Sequence, residues 1–208
     1  MRKGDIMNYG EYKTMAEARL ALNIRLLESG VEFIDIERAY IDPAAQIGRG
    51  TVIGACVTIE AGTVIGEDCI IGQNTRIKGS TIGRASEIQS SVILDSTIGE
   101  ETKVGPFAYI RPGSSIGCHC KVGDFVEVKN SSMGDGSKAS HLAYIGDSDV
   151  GKDVNIGCGV VFVNYDGKRK HRSIVGDGAF IGCNTNLVSP VVVEEGSYIA
   201  AGSTVTTN

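Results

Sequence analysis

The 208 residues carry a net charge of −5 at neutral pH, and this acidic balance argues against general nucleic-acid binding, which favours basic surfaces. No segment resembles a signal peptide or an apolar span of membrane length, so the sequence predicts no membrane anchor and favours the cytoplasm. The six cysteines contain no CxxC pair. They are interpreted as small packing residues in a reducing compartment, not as metal or redox groups.

The N-terminal segment has the composition of a helix. Leucine, isoleucine and alanine recur between residues 13 and 29, and Gly30 suits a C-terminal cap. Residues 31–36 are predicted to lead as an extended segment into the next region. We therefore divide the chain into an N-terminal helical linker or cap, residues 1–36, and a second domain, residues 37–208.

From Ile41 to Val205 an aliphatic residue returns about every six residues, and this aliphatic series decides the fold class. The residue two places earlier is small or β-branched, and glycine often follows. One aliphatic and one small inward residue per unit is typical of hexapeptide β-helix repeats, in which three short strands close one triangular coil. The series predicts an all-β, single-stranded parallel β-helix of about nine coils, on the order of 45 Å long. The period does not fix the hand of the coil.

Two cations stand one coil apart in this series. Arg111 and Lys129 follow equivalent aliphatic positions and are separated by eighteen residues. They should therefore stack on one face, about 5 Å apart along the axis. Like charges at that distance repel, so an anion between them, usually phosphate, would stabilise the pair.

A histidine is predicted on a different face. His141 lies twelve residues beyond Lys129, and in a lone prism its face is remote from that of Arg111. In a trimer of prisms, faces of adjacent subunits meet and form clefts. The spacing therefore favours a trimer if these residues share one site.

The aliphatic series is interrupted between Phe162 and Val175, where the spacing is thirteen residues. The inserted residues, 163–173, are predicted to form an extruded loop at a corner of the solenoid, with the pair Asp166-Gly167 at its tip. Residues 168–172 are all basic or titratable, which makes the loop a positive arm and favours phosphate binding.

Several motifs resemble those of one enzyme family. They are Arg111-Pro112-Gly113, Val126-Glu127-Val128-Lys129, Ser137-Lys138-Ala139-Ser140-His141-Leu142, Tyr144-Ile145-Gly146-Asp147, Asn155-Ile156-Gly157 and Asn164-Tyr165-Asp166-Gly167. In order and spacing they resemble the C-terminal acetyltransferase half of the bifunctional bacterial enzyme that couples glucosamine-1-phosphate acetyltransferase to N-acetylglucosamine-1-phosphate uridyltransferase.

This resemblance implies a left-handed β-helix and a homotrimer with active sites between subunits. The implied reaction moves the acetyl group of acetyl-coenzyme A to the 2-amino group of glucosamine-1-phosphate, in UDP-N-acetylglucosamine and peptidoglycan precursor synthesis. No motif of the uridyltransferase half is found, so uridylyl transfer is not predicted, and a separate chain could supply it.

The resemblance also assigns roles to single residues. His141 is implied as the general base that takes a proton from the sugar amine, with Glu127 orienting it. Substrate-binding roles are implied for Arg111, Lys129, Tyr144, Asn155 and Lys170. Contacts to acetyl-coenzyme A, the co-substrate, are implied for Cys158, Asn164, Tyr165, Cys183 and Ala201. No metal is implied.

The chain departs from the family pattern at the donor site. Cys158 stands where alanine is common and Cys183 where serine is common, which replaces a hydroxyl by a weaker hydrogen-bonding thiol. The sequence also ends at Asn208, before the C-terminal arm that gives a further basic contact to coenzyme A. We expect acetyl-donor affinity to be the property most affected.

Three alternatives remain open at this point. One is an acetyltransferase for another amino sugar or for a sugar hydroxyl, and the second is a non-catalytic trimeric scaffold. The third is a metal hydratase, for which His119, His141 and His171 are the candidate ligands. Their spacings do not match whole coils, which argues against this third alternative.

Overall fold

The computed structural model describes residues 8–206 and begins with a single long helix, α1 (Tyr9–Glu28). The helix begins four residues before the predicted segment because Asn8 and Glu11 form a capping box. The Asn8 side chain accepts from the Glu11 amide at 3.0 Å, and the Glu11 carboxylate accepts from the Asn8 amide at 2.9 Å. Gly30 follows the helix end with φ of +99°, as the predicted cap requires.

A buried asparagine attaches the helix to the rest of the chain. Asn23 is fully buried and donates to the carbonyl oxygens of Ile36, at 2.8 Å, and of Ala39, at 3.0 Å. Leu22 and Leu26 pack against the core from the same helix. A 3₁₀ helix, Ile36–Arg38, connects this region to the first full coil. The helix is therefore packed onto the β domain, and the proposed ends of the two domains, at residues 1 and 208, lie outside the described residues.

The remainder consists of short parallel strands in three sheets. The first sheet contains β1 (Glu32–Phe33), β4 (Val52–Ile53), β7 (Ile70–Ile71), β10 (Glu87–Ile88), β13 (Lys103–Val104), β16 (Lys121–Asp124), β19 (Lys138–His141), β22 (Asn155–Ile156), β25 (Phe180–Ile181) and β28 (Tyr198–Ile199). The second contains β2 (Tyr40–Ile41), β5 (Thr58–Ile59), β8 (Arg76–Lys78), β11 (Val92–Leu94), β14 (Tyr109–Ile110), β17 (Glu127–Lys129), β20 (Tyr144–Gly146), β23 (Val161–Val163), β26 (Asn186–Val188) and β29 (Thr204–Val205). The third contains β3 (Gln46–Ile47), β6 (Val64–Ile65), β9 (Thr81–Ile82), β12 (Thr97–Ile98), β15 (Ser115–Ile116), β18 (Ser132–Met133), β21 (Ser148–Val150), β24 (Ser173–Val175) and β27 (Val192–Val193).

Successive strands visit the three sheets in turn, and each pairs in parallel with the strand three places further along the chain. Each member of the aliphatic series lies in one of the strands β2 to β29 and stacks on its equivalent in the next coil, as Ile110 does on Val128. The predicted left-handed β-helix is confirmed, with about 10 turns. The count exceeds the predicted nine because β1, inside the proposed N-terminal segment, already pairs with β4.

The core is the column of these stacked side chains. Most are almost fully buried, whereas Ile47, Ile199 and Val205, near the two ends, are only partly buried, because a terminal coil has a neighbour on one side only. Cys69 and Cys120 lie inside, as the pattern predicted, and all six cysteines are free. Within residues 8–206 no helix has the length and apolarity to cross a membrane.

Candidate active site

The solenoid places the predicted site residues on two different sheets. Arg111 follows β14 and Lys129 ends β17, on adjacent strands of the second sheet, so the predicted stacking of the two cations is confirmed. Tyr144, in β20, continues this sheet one coil further. His141 and Asn155 instead belong to β19 and β22 of the first sheet. One chain therefore carries two separate groups of candidate residues.

Each stacked cation already has a carboxylate partner. The Arg111 guanidinium donates to Glu127 Oε1 at 2.7 Å, and this pair is about two-fifths exposed. The Lys129 ammonium contacts both oxygens of Asp147, at 2.9 and 2.8 Å, and is 15% exposed against 9% for the carboxylate. Arg111 can still turn toward solvent, whereas Lys129 is held in place.

Asp147 is the centre of a buried network. Besides Lys129, it accepts from the side-chain amides of Asn130, at 2.7 Å, and Asn164, at 2.5 Å. Burial alone would raise the pKa of Asp147, but the hydrogen bonds from Asn130 and Lys129 outweigh it, so the pKa lies below its usual value. Asn164 also donates to the Tyr144 hydroxyl at 3.2 Å. Asp147 thus connects the second sheet to the start of the loop.

Lys170 joins this group from the loop. Its ammonium lies beside that of Lys129, and this like charge lowers the pKa of Lys170. Arg111 acts in the same direction at longer range. Three cations therefore converge on the second sheet, where Asp147 and Glu127 offset part of their charge. A phosphate-sized anion would relieve the remaining repulsion.

The extruded loop is present and is internally ordered. It occupies the residues between β23 and β24, with one antiparallel bridge between Tyr165 and Lys170. Asp166 accepts from the backbone amides of Arg169 and Lys168 and from the His171 ring, and these bonds lower its pKa to about 2. The predicted Asp-Gly turn is thus confirmed, with Gly167 at φ of +92°.

The base of the loop is fixed by an arginine. The Arg172 guanidinium pairs with Asp149 of β21 and donates to the carbonyl oxygens of Asn130, at 2.9 Å, and Ser148, at 3.1 Å. Asn164 is 6% exposed and bonded to Asp147, whereas Tyr165 is 56% exposed. The two donor-site candidates on the loop therefore differ in how far a ligand can reach them.

His141 is bonded to a residue that the sequence analysis did not identify. Its Nδ1 lies 2.6 Å from Asp124 Oδ1, since Asp124 and His141 are register partners on β16 and β19. Within one chain, Glu127 does not contact His141. Glu127 lies on the second sheet and is occupied by Arg111. The carboxylate that holds the ring is Asp124.

Three predicted donor-site residues form a column with His141. Lys138 pairs with Asn155, Asn155 with Phe180, and Phe180 with Tyr198. Three residues after each of these positions stand His141, Cys158, Cys183 and Ala201. All four are exposed, on consecutive coils about 4.8 Å apart. A ligand that runs along this corner would pass from the histidine to Ala201 over roughly 15 Å.

The other two histidines lie in different places and have their own carboxylates. His119 lies 3.5 Å from Glu101, and His171 lies 2.8 Å from Asp166. In the part of the chain that the structure describes, no group of three or more His, Cys, Asp or Glu side chains could hold a metal ion. Within one chain, the three histidines therefore lie apart from one another.

Two important carboxylates were missed, although the coil spacing contained the signal. Asp147 lies eighteen residues after Lys129, and Asp124 lies seventeen residues before His141. The second interval is one coil of seventeen residues, because the series advances by five residues at one corner in this region, and the first is one coil plus one residue, because Lys129 pairs in register with Gly146. Asking which acidic residue lies one coil from each candidate would have identified both.

A family model described as bacterial transferase hexapeptide (six repeats) matches residues 44–79, 95–130 and 172–207. The bifunctional protein GlmU of Alkaliphilus metalliredigens is 50% identical over 206 residues, which cover 97% of this chain and 45% of that protein. GlmU of Clostridium beijerinckii is 55% identical over 185 residues, covering 89% and 41%. The resemblance inferred from the motifs is confirmed.

The chain spans less than half the length of these curated relatives. Among solved structures, the Arabidopsis UDP-N-acetylglucosamine acyltransferase aligns with a TM-score of 0.60 at 17% identity, covering 81% of this chain and 66% of that one. At this identity the likeness concerns the fold alone.

Proposed function

The chain belongs to the bacterial transferase hexapeptide family, and from this premise we propose that it is an acyltransferase that moves the acetyl group of acetyl-coenzyme A to the 2-amino group of glucosamine-1-phosphate. The observation that carries the proposal is the exposed, carboxylate-paired His141 at one end of the column of donor-site candidates. The identity of 50% to GlmU over 97% of the chain supports the choice of substrates.

The proposed proton transfer uses the outer ring nitrogen of His141. Asp124 occupies Nδ1, so Nε2 is free to accept a proton from the sugar amine as the amine attacks the thioester carbonyl. The new carbon–nitrogen bond forms as the carbon–sulfur bond breaks. The sulfur leaves as a thiolate, which takes up a proton to give free coenzyme A.

Binding of the sugar phosphate is assigned to the second sheet. Arg111, Lys129 and Lys170 supply the positive charge there. Arg111 can exchange Glu127 for a phosphate with little rearrangement because that pair is about two-fifths exposed. Tyr144 is assigned to the sugar ring, together with Asn155 of the first sheet. The donor is assigned to Cys158, Cys183 and Ala201 on the corner and to Asn164 and Tyr165 on the loop.

The two groups lie on different sheets, so a complete site requires a second copy of the chain. We therefore propose a homotrimer in which the His141 corner of one subunit faces the cationic second sheet of its neighbour. The acetyl donor and the free cysteines are consistent with a cytoplasmic enzyme. No metal is assigned to the reaction, and uridylyl transfer is not part of the proposal.

The decisive experiment measures thiol release when the purified protein is incubated with both substrates. His141→Ala should reduce kcat by about 10²- to 10⁴-fold, the usual contribution of a general base. Thiol release by wild type no faster than by His141→Ala would sink the proposal.

A substrate panel separates the remaining alternatives. Indifference to the anomeric phosphate would favour another amino sugar and remove the role given to Arg111 and Lys129. Absence of saturable heat on titration with acetyl-coenzyme A would favour the non-catalytic scaffold.

A further inference from the structure

The pairing between β16 and β19 is unusual within this solenoid. Most strands pair over two or three residues, whereas these two are four residues long, and their register extends to the pair Asp124 and His141. Gly123 permits this close approach, because a Cβ at this position would collide with the Ser140 carbonyl. The backbone of two neighbouring coils therefore brings the carboxylate to the imidazole.

The hydrogen bond determines which ring nitrogen carries the proton. The His141 hydrogen bond lowers the pKa of Asp124, so this carboxylate is ionised and can only accept. Nδ1 must then donate, and in the neutral ring Nε2 is left with its lone pair. An imidazole without this partner populates both tautomers, and only one of them presents a basic Nε2.

We propose that Asp124 is the positioning residue for His141, which fixes the tautomer and the ring orientation in which Nε2 receives the substrate proton. The expected effect on the reaction rate rests on the proposed function. The expected effect on the tautomer and orientation of the His141 ring does not depend on it. It assigns to Asp124 the role that the family resemblance suggested for Glu127, whose carboxylate is held by Arg111.

Other charged groups near the pair do not replace Asp124. Lys121, on the same strand, acts on Asp124 only at long range. Lys138 is exposed on the strand of His141, and Cys158 follows β22 on the next coil. In the described chain, no other carboxylate forms a hydrogen bond with the His141 ring.

The chain provides a matched control in a second carboxylate–histidine pair. Glu101 and His119 are 3.5 Å apart, a distance beyond a normal hydrogen bond, and both are more than half exposed. Glu101→Ala removes the same charge from the same kind of neighbour, away from the candidate site. It should therefore change neither kinetics nor the state of His141.

The experiment compares Asp124→Ala, Glu101→Ala and wild type by two measurements. In kinetics, Asp124→Ala should lower kcat about 10- to 100-fold while KM for both substrates stays within about twofold, because ring orientation and not binding is lost. A merely structural role would instead raise KM or lower thermal stability.

The second measurement does not depend on activity. With only three histidines, ¹⁵N-labelled protein gives few ring signals, and His141→Ala assigns the relevant one. Wild type should show neutral His141 protonated on Nδ1, whereas Asp124→Ala should show a mixture of tautomers. An unchanged tautomer, or kcat within about twofold of wild type, would overturn the proposal. If wild type proves inactive, the proposed function fails, and the ring spectrum still decides the role of Asp124.

Discussion

Two acid–base pairs of the candidate site, His141 with Asp124 and Lys129 with Asp147, differ in burial, and the difference separates two tasks. The His141 and Asp124 side chains are 58% and 39% exposed, while Lys129 and Asp147 are 15% and 9% exposed. The exposed pair shares one bond, whereas Asp147 has three side-chain partners. A group that must gain and lose a proton in each turnover needs to be accessible to substrate and solvent. A group that holds a fixed charge needs hydrogen-bond partners that stabilise that charge.

The largest loss of stability is expected when the buried pair of Lys129 and Asp147 is broken. Asp147→Ala leaves the Lys129 ammonium buried without its counter-charge and the Asn130 and Asn164 amides without an acceptor. We expect the free energy of unfolding to fall by about 2–4 kcal/mol, as measured by urea denaturation. Because the loop begins at Asn164, protease cleavage within residues 165–171 should also become faster.

The comparison with Asp124→Ala is the control for this prediction. Removal of that exposed carboxylate should leave the urea midpoint almost unchanged while lowering kcat. Equal destabilisation by both substitutions would show that burial does not separate the two pairs.

An acid titration sharpens the same contrast. The pKa of Asp147 is lowered in the folded state, so its stabilisation is fully present above the unfolded value of about 3.9 and is lost as pH falls through the lower folded pKa. The stability difference between wild type and Asp147→Ala should therefore be constant from pH 7 to about 4 and shrink below that. A difference that already declines near pH 6 would contradict this assignment.

The smallest loss of stability is expected when the exposed ion pair at the base of the loop is broken. Arg172 and Asp149 are 43% and 48% exposed, so solvent screens their attraction. Arg172→Ala should cost less than about 1 kcal/mol in urea denaturation yet raise loop proteolysis, because two backbone contacts are lost as well. Lys168→Ala, at the loop tip, is the matched control and should affect neither quantity.

The sequence predicted whatever follows from the coil period. Strands β2 to β29, the stacking of Arg111 on Lys129 and the separation of His141 from that face all depend on spacing alone. The position of the loop was predicted in the same way, from the irregular interval between Phe162 and Val175. A repeat with a buried aliphatic column leaves little freedom in register.

What the sequence did not reveal depends on competition among side chains. Glu127 can be placed on a coil by counting, but whether it bonds to Arg111 or to a histidine depends on which partner its sheet presents. Asn164 can be placed in the insertion by counting, but its hydrogen bond to the buried carboxylate of Asp147 cannot be predicted from spacing. The N-terminal extent of α1 was missed because the Asn8 capping box lies before the apolar pattern starts.

The stacked coils also make the length of the solenoid adjustable. Each coil contacts only its neighbours, and the candidate residues occupy the coils from Arg111 to Ala201. The strands from β2 to β13 contain none of them, and β14, which directly precedes Arg111, lies four steps from β2, roughly 19 Å. This part of the chain is a rigid spacer, and adding or removing a whole coil there would change the reach of the helix without moving a single group of the site.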